Sequence, residues 1–91
     1  MNIFKSIIKK IKQDNFNISH FFETIHHNDD DKFYWYLKNF INKQNINLVN
    51  NSGNSALHLA CQARNADFTI ALLNAGANPN IIDNKGETPL F

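Results

Sequence analysis

Up to Asn47, apolar side chains recur at helical spacing along this chain; from Asn50, turns cut that spacing at a fixed interval. Ile3, Phe4, Ile7, Ile8 and Ile11 share one face of an amphipathic helix predicted over Asn2 to about Gln13, with Lys5, Lys9, Lys10 and Lys12 mostly opposite. Asp14-Asn15 breaks that pattern. A second helix is predicted from Ser19, as its N-cap, to His27, with Phe21, Phe22 and Ile25 for burial. Asn28-Asp29-Asp30-Asp31 reads as a turn whose carboxylates favour the start of the next helix. In that helix Phe33, Tyr36, Leu37, Phe40 and Ile41 follow i, i+3, i+4, i+7, i+8, and the polar run Asn42 to Asn47 ends it.

From Asn50 the order is turn, helix, helix, turn. Gly53 supplies the positive φ that the turn Asn51-Ser52-Gly53 requires. Ser55 is placed to cap a helix running through Leu57, Leu59, Ala60 and Cys61. Arg64-Asn65 closes it, with Asn65 as the residue that tolerates the left-handed conformation. Asp67 opens a further helix with Phe68, Ala71, Leu72 and Ala75 on its core side, and Gly76 ends it. Asn78-Pro79-Asn80 and Asp83-Asn84-Lys85-Gly86 then turn the chain, and Thr88-Pro89 predicts another helix with Pro at its first position.

Gly53 recurs as Gly86, Leu57 as Leu90, Ser55 as Thr88, Asn50-Asn51 as Asp83-Asn84 and Asn47 as Asn80, every pair 33 residues apart. A fixed period of that size indicates a solenoid, whose units bury their apolar faces against neighbours and present surface instead of enclosing a reaction chamber.

The run Gly53-Asn54-Ser55-Ala56-Leu57-His58-Leu59-Ala60, the run Leu72-Leu73-Asn74-Ala75-Gly76-Ala77-Asn78-Pro79-Asn80 and the run Asp83-Asn84-Lys85-Gly86-Glu87-Thr88-Pro89-Leu90 together resemble an ankyrin repeat followed by the opening of a second. The resemblance implies an all-α fold, a short ankyrin-type solenoid of stacked helix-turn-helix repeats with β-turn fingers. It also implies that His58 bonds the Ser55 hydroxyl and ties neighbouring turns together, and that Cys61 is a buried, inert thiol. Arg64 and Asn65 replace the family's usual Gly-His, which weakens that cap, and Phe91 stands where the second repeat would carry its histidine. The remaining boundaries read as an N-terminal capping helix (1–15), a diverged ankyrin-like repeat (16–49), a full repeat (50–82) and the start of a truncated one (83–91). The chain is expected to be part of a longer array, or to self-associate through an uncapped C-terminal end that leaves the Leu57, Leu72 and Leu73 side uncovered.

Bulk properties narrow the function. A net charge of +1 over 91 residues argues against general nucleic-acid binding. Residues 1–15 carry four lysines against Asp14, and the remainder has five Lys/Arg against seven Asp/Glu. The basic N-terminal helix therefore reads either as a cap over the first repeat or as a contact with anionic membrane, the cap being the simpler role. Cys61 is the one cysteine, which excludes an internal disulfide and fits a reducing compartment, so the expected location is cytoplasmic, or the cytoplasm of another cell after delivery. No apolar run reaches the roughly 18 residues that a membrane span needs. The sixteen asparagines, with abundant Ile and Lys, all have AT-rich codons and are read as a genome bias instead of a physical requirement.

Three constellations invite chemistry. His20, Glu23 and His27 share a helical face near Asp29 to Asp31, a spacing open to a divalent metal but equally ordinary for a solvated surface. Cys61 follows His58 by three residues, yet the turn motif already employs that imidazole, so no nucleophile-base pair is assigned. Tyr34 and Trp35 read either as packing against the N-terminal helix or as a recognition patch. No cofactor, metal or catalytic residue is expected, and the chain is read as no enzyme. The resemblance implies a protein partner gripped by Asn51, Ser52 and Asn54 on one finger, Asn84, Lys85 and Glu87 on the next, and Gln62 and Ala63 on the inner surface. The role expected is an interaction module, such as the docking region of an effector or regulator. The alternatives are the targeting region of a multidomain enzyme and a small stand-alone inhibitor.

Overall fold

A computed structural model describes residues 17–90; the helix expected over 2–13 and Phe91 lie outside them. Among the described residues there are four helices and no strand: α1 (Ile18–His26), α2 (Asp30–Asn39), α3 (Ala56–Gln62) and α4 (Ala66–Asn74). They form two hairpins, α1/α2 and α3/α4, with α1 packed on α3.

Short polar side chains start every helix, but not all are those expected. Asn17 caps α1, its Oδ1 accepting from Ser19 N at 2.9 Å. Ser19 is already inside the helix, and its hydroxyl donates to the same Asn17 oxygen at 2.8 Å. Asp29 caps α2, which moves Asp30 and Asp31 out of the connecting turn and into the first helical turn, where their charge suits the helix dipole. Ser55 caps α3 as expected.

Three helices end identically. Asn28 (φ 51), Arg64 (φ 55) and Gly76 (φ 96) are left-handed. Each closes a Schellman motif, with its own N–H reaching back three residues and the next N–H reaching back five. After α3 these bonds are Arg64 N to Cys61 O (3.1 Å) and Asn65 N to Ala60 O (3.0 Å). The left-handed residue is thus Arg64 and not Asn65. With only this link between α3 and α4, Asn65 must be extended to cap α4, and its Oδ1 accepts from Phe68 N at 3.0 Å. Asp67 accordingly lies in the first turn of α4 instead of opening it.

The core is a stack of phenylalanines, one from each of three helices. Phe33 and Phe68 lie 3.8 Å apart, centroid to centroid, at 7°, and Phe21 lies 5.2 Å from Phe33 at 22°. Phe22, Ile25, Ile46, Leu57, Leu59 and Leu72 are the other large side chains of the buried cluster. Each such side chain contributes about 1.5–3 kcal/mol on burial, and the stack crosses from α2 to α4, so both hairpins share one core. Leu72, expected on the core side of its helix, is 0% exposed; Leu57 is 1% exposed and Leu73 is half-buried, so this side is not left uncovered at Leu57 and Leu72. Within residues 56–90 the large apolar side chains left in water are Ile70, Ile82 and Leu90. Ala75, expected on the core side, is the exposed C-cap of α4. Pro89 and Leu90 form a turn, so the helix expected from Thr88 is not formed within the described residues.

Candidate functional site

Two turns built on one plan project from the hairpins. In the first, Val49 and Ser55 form an antiparallel bridge, and Asn50 N donates to Asn54 O at 2.9 Å. The Asn50 Oδ1 accepts from Ser52 N (2.9 Å) and Asn54 N (3.0 Å). Thirty-three residues on, Asp83 N donates to Glu87 O at 2.9 Å. Asp83 Oδ1 accepts from Lys85 N and Glu87 N, both at 2.9 Å. Asn and Asp are interchangeable here because the turn uses only an acceptor oxygen. Asp83 differs in its charge: the two backbone N–H bonds, Glu87 foremost, hold its carboxyl below its ordinary pKa against a partial opposing effect of burial, with smaller help from His58 and Lys85.

The fingers are tied together. Asn84 N donates to Ser52 O at 3.1 Å, and Asn84 Nδ2 donates to Asn51 O at 3.0 Å. Gly53 (φ 78) sits under this contact, and a Cβ there would lie 2.6 Å from Asn84 Oδ1. Behind them His58 is buried and fully used. Its Nδ1 accepts from Ser55 N at 3.1 Å and lies 2.9 Å from the Ser55 hydroxyl. That fixes the proton on Nε2, which donates to Glu87 O at 3.1 Å. The expected Ser55–His58 bond is present and extends to the second finger. With both ring nitrogens committed, His58 is no base for Cys61, whose Sγ lies 3.8 Å from Thr69 Oγ1.

Seven of the eight residues expected at the binding surface converge. Asn51, Ser52, Asn54, Gln62, Asn84, Lys85 and Glu87 line a groove of about 340 Å³. Gln62 Nε2 reaches Asn54 Oδ1 at 3.4 Å, linking finger to helix. Ala63, the exposed C-cap of α3, is not among the lining residues. Asp83, in register with Asn50, lines the groove as well, although it is not among the residues expected there.

Elsewhere, His20, Glu23 and His27 border a separate open groove with Asp29, Lys32 and Tyr36. His27 Nε2 and Glu23 Oε2 are 3.3 Å apart, both largely exposed, and among the described residues no three His, Cys, Asp or Glu are grouped to hold a metal. Tyr34, though 43% exposed, packs edge-on against Phe33 and Phe68. Trp35 is 51% exposed and lies against Tyr36 and Phe40. No helix of the described residues is long and apolar enough to cross a membrane.

Stacked helical hairpins with hydrogen-bonded fingers at a 33-residue interval define a helical repeat protein. The model of the family described as ankyrin repeats (many copies) matches residues 41–90, and the chain belongs to this family. It is 51% identical over 45 residues to Neurogenic locus notch homolog protein 1 of Danio rerio, covering 50% of this chain and 2% of that protein. It is 44% identical over 57 residues to the Nuclear factor NF-kappa-B p110 subunit of Drosophila melanogaster, covering 63% of this chain and 6% of that protein. A third relative is Tyrosine-protein kinase HTK16 of Hydra vulgaris, 41% identical over 54 residues, covering 59% of this chain and 7% of that protein. The chain therefore corresponds to a small fraction of each relative's length. Ankyrin repeats are generally protein-protein interaction modules and generally non-enzymatic.

Proposed function

We propose that this chain docks a partner protein in the groove between its two fingers, with Asn51, Ser52 and Asn54 on one side, Asn84, Lys85 and Glu87 on the other and Gln62 at the helix surface; Ala63 extends that surface along α3. The observation that carries this reading is the convergence of seven of these residues on one polar groove whose walls are cross-bonded through Asn84 and backed by His58. A rigid frame with projecting carboxamides gives a partner several directional hydrogen bonds at little ordering cost. Tyr34 and Trp35 lie on α2 and are a secondary surface at most. Capture from lysate of the source organism tests the reading, comparing wild type with a folded variant carrying Asn54→Arg, Lys85→Glu and Glu87→Lys. A protein held by the first and lost by the second is the predicted result; a catch that survives the substitutions contradicts it.

We further propose that residues 16–49 are a diverged repeat, supported by the α1/α2 hairpin closing on the same left-handed motif as α3, with residues 1–15 as its cap. The lone Cys61 supports a cytoplasmic setting, in the producing cell or in one that receives the protein as an effector. The likeness to a stretch of a tyrosine-protein kinase favours a second reading, the targeting region of a larger enzyme.

A further inference from the structure

Two carboxylates share the finger groove, and neither is held in a close ion pair. Asp83 and Glu87 both line it; the one close ion pair among the described residues joins His27 and Glu23, outside this groove. Asp83 is 8% exposed. Its Oδ1 is saturated by the Lys85 and Glu87 N–H groups, whereas no hydrogen bond among the described residues reaches Oδ2. No fully buried side-chain oxygen or nitrogen lacks a partner among these residues, so Oδ2 keeps some contact with solvent, and Asp83 is one of the residues lining the groove. Glu87 is fixed at its backbone from both sides, its N–H on Asp83 and its carbonyl on His58 Nε2, so its exposed carboxylate springs from a rigid rim.

We infer that the groove takes a basic side chain, arginine by preference, from an extended segment of the partner, with the guanidinium between Asp83 Oδ2 and the Glu87 carboxylate and the neighbouring carboxamides on the segment's backbone. This rests on the docking reading above and specifies its partner. The lining carries two negative charges against Lys85 alone, and a planar fork of donors satisfies two carboxylates where a neutral side chain would leave them desolvated. The hydrogen bonds to Asp83 keep its carboxylate ionised, so the charge is in place before a ligand arrives. Gln62 and Asn54, joined at 3.4 Å, retain amide donors and acceptors for a peptide main chain.

The test titrates the isotopically labelled 91-residue chain, by NMR, with acetyl-Gly-Ser-Arg-Ser-Gly-amide and with the same peptide carrying citrulline, which keeps the shape and loses the charge. Shifts at the backbone amides of Lys85, Gly86 and Glu87 are expected, with affinity for the citrulline peptide weaker by about tenfold or more. Asp83→Asn preserves the finger, as Asn50 preserves its own, and is expected to reduce arginine-peptide affinity to the citrulline level; Glu87→Gln is expected to do the same. Equal affinity for the two peptides, or shifts confined to the His20 and His27 groove, would overturn the inference. Absence of shifts with either peptide would also overturn it, and would leave the broader docking reading to the capture experiment.

Discussion

Gly53 and Asn84, on successive fingers, touch so closely that residue 53 has no room for a side chain: a Cβ would lie 2.6 Å from Asn84 Oδ1 and 2.9 Å from Asn84 N. Gly86, its counterpart 33 residues later, has nearly the same backbone angle (φ 81) but open space around it. Alanine at position 86 should therefore cost only the left-handed backbone, about 1 kcal/mol, and alanine at position 53 about 3 kcal/mol, because Asn84 must also give way. Denaturant unfolding of the two variants measures the difference. Equal losses would mean that the finger-to-finger contact contributes nothing.

Asn50 and Asp83 perform one task with different charge, and acid separates them. The folded carboxyl of Asp83 titrates below its ordinary value, so its contribution to stability is complete above the usual aspartate range. As pH falls below that range the unfolded chain takes up its proton first. The contribution declines and is gone once pH passes the lowered folded value. Melts of wild type and Asp83→Asn from about pH 6 to about pH 2 should converge on acidification, with the wild type falling more steeply. Parallel curves would remove the charge from the account.

These fingers were legible because their chemistry is local. Glycines at 53 and 86, acceptors at 50 and 83 and the serine at 55 announce themselves within a few residues, and the register places Asn51 to Asn54 beside Asn84 to Glu87. The misses came where two positions competed or where burial is tertiary. Asn17 and Ser19 are both good N-caps two residues apart, and only the chain's path selects Asn17. Asn65 tolerates the left-handed conformation better than Arg64, but the short link leaves it as the only cap for α4. The core side of α4 was legible for Phe68 and Leu72, whereas how far neighbouring helices cover Leu57 and Leu73 is tertiary and no local pattern records it. The equivalence of Asp83 to Asn50 is legible from the 33-residue register, but its place in the groove lining comes only from the fold.

Arg64 at φ 55 completes a helix end that glycine completes more cheaply. Arg64→Gly should stabilise the protein by about 0.5–1 kcal/mol, the gain in the left-handed conformation exceeding the added freedom of the unfolded chain. An unchanged or lowered midpoint in urea would show that the arginine stem contributes packing of comparable size.

Phe33 and Phe68 connect α2 to α4 face to face. A double-mutant cycle with Phe33→Leu and Phe68→Leu should return a coupling of about 0.5–1.5 kcal/mol, and each single variant should still melt in one transition because the hairpins share their core. Two separate transitions in either variant would show that the hairpins fold independently.

The finger groove is tested most directly by placing a photo-crosslinking amino acid at Ser52 and, in a separate variant, at Trp35, then irradiating each in lysate of the source organism. One discrete partner should be captured from position 52 and not from position 35, and an Asn54→Arg, Lys85→Glu, Glu87→Lys background should abolish that capture. Capture of the same protein from position 35, with none from position 52, would contradict docking between the fingers and move the interface to the exposed face of α2.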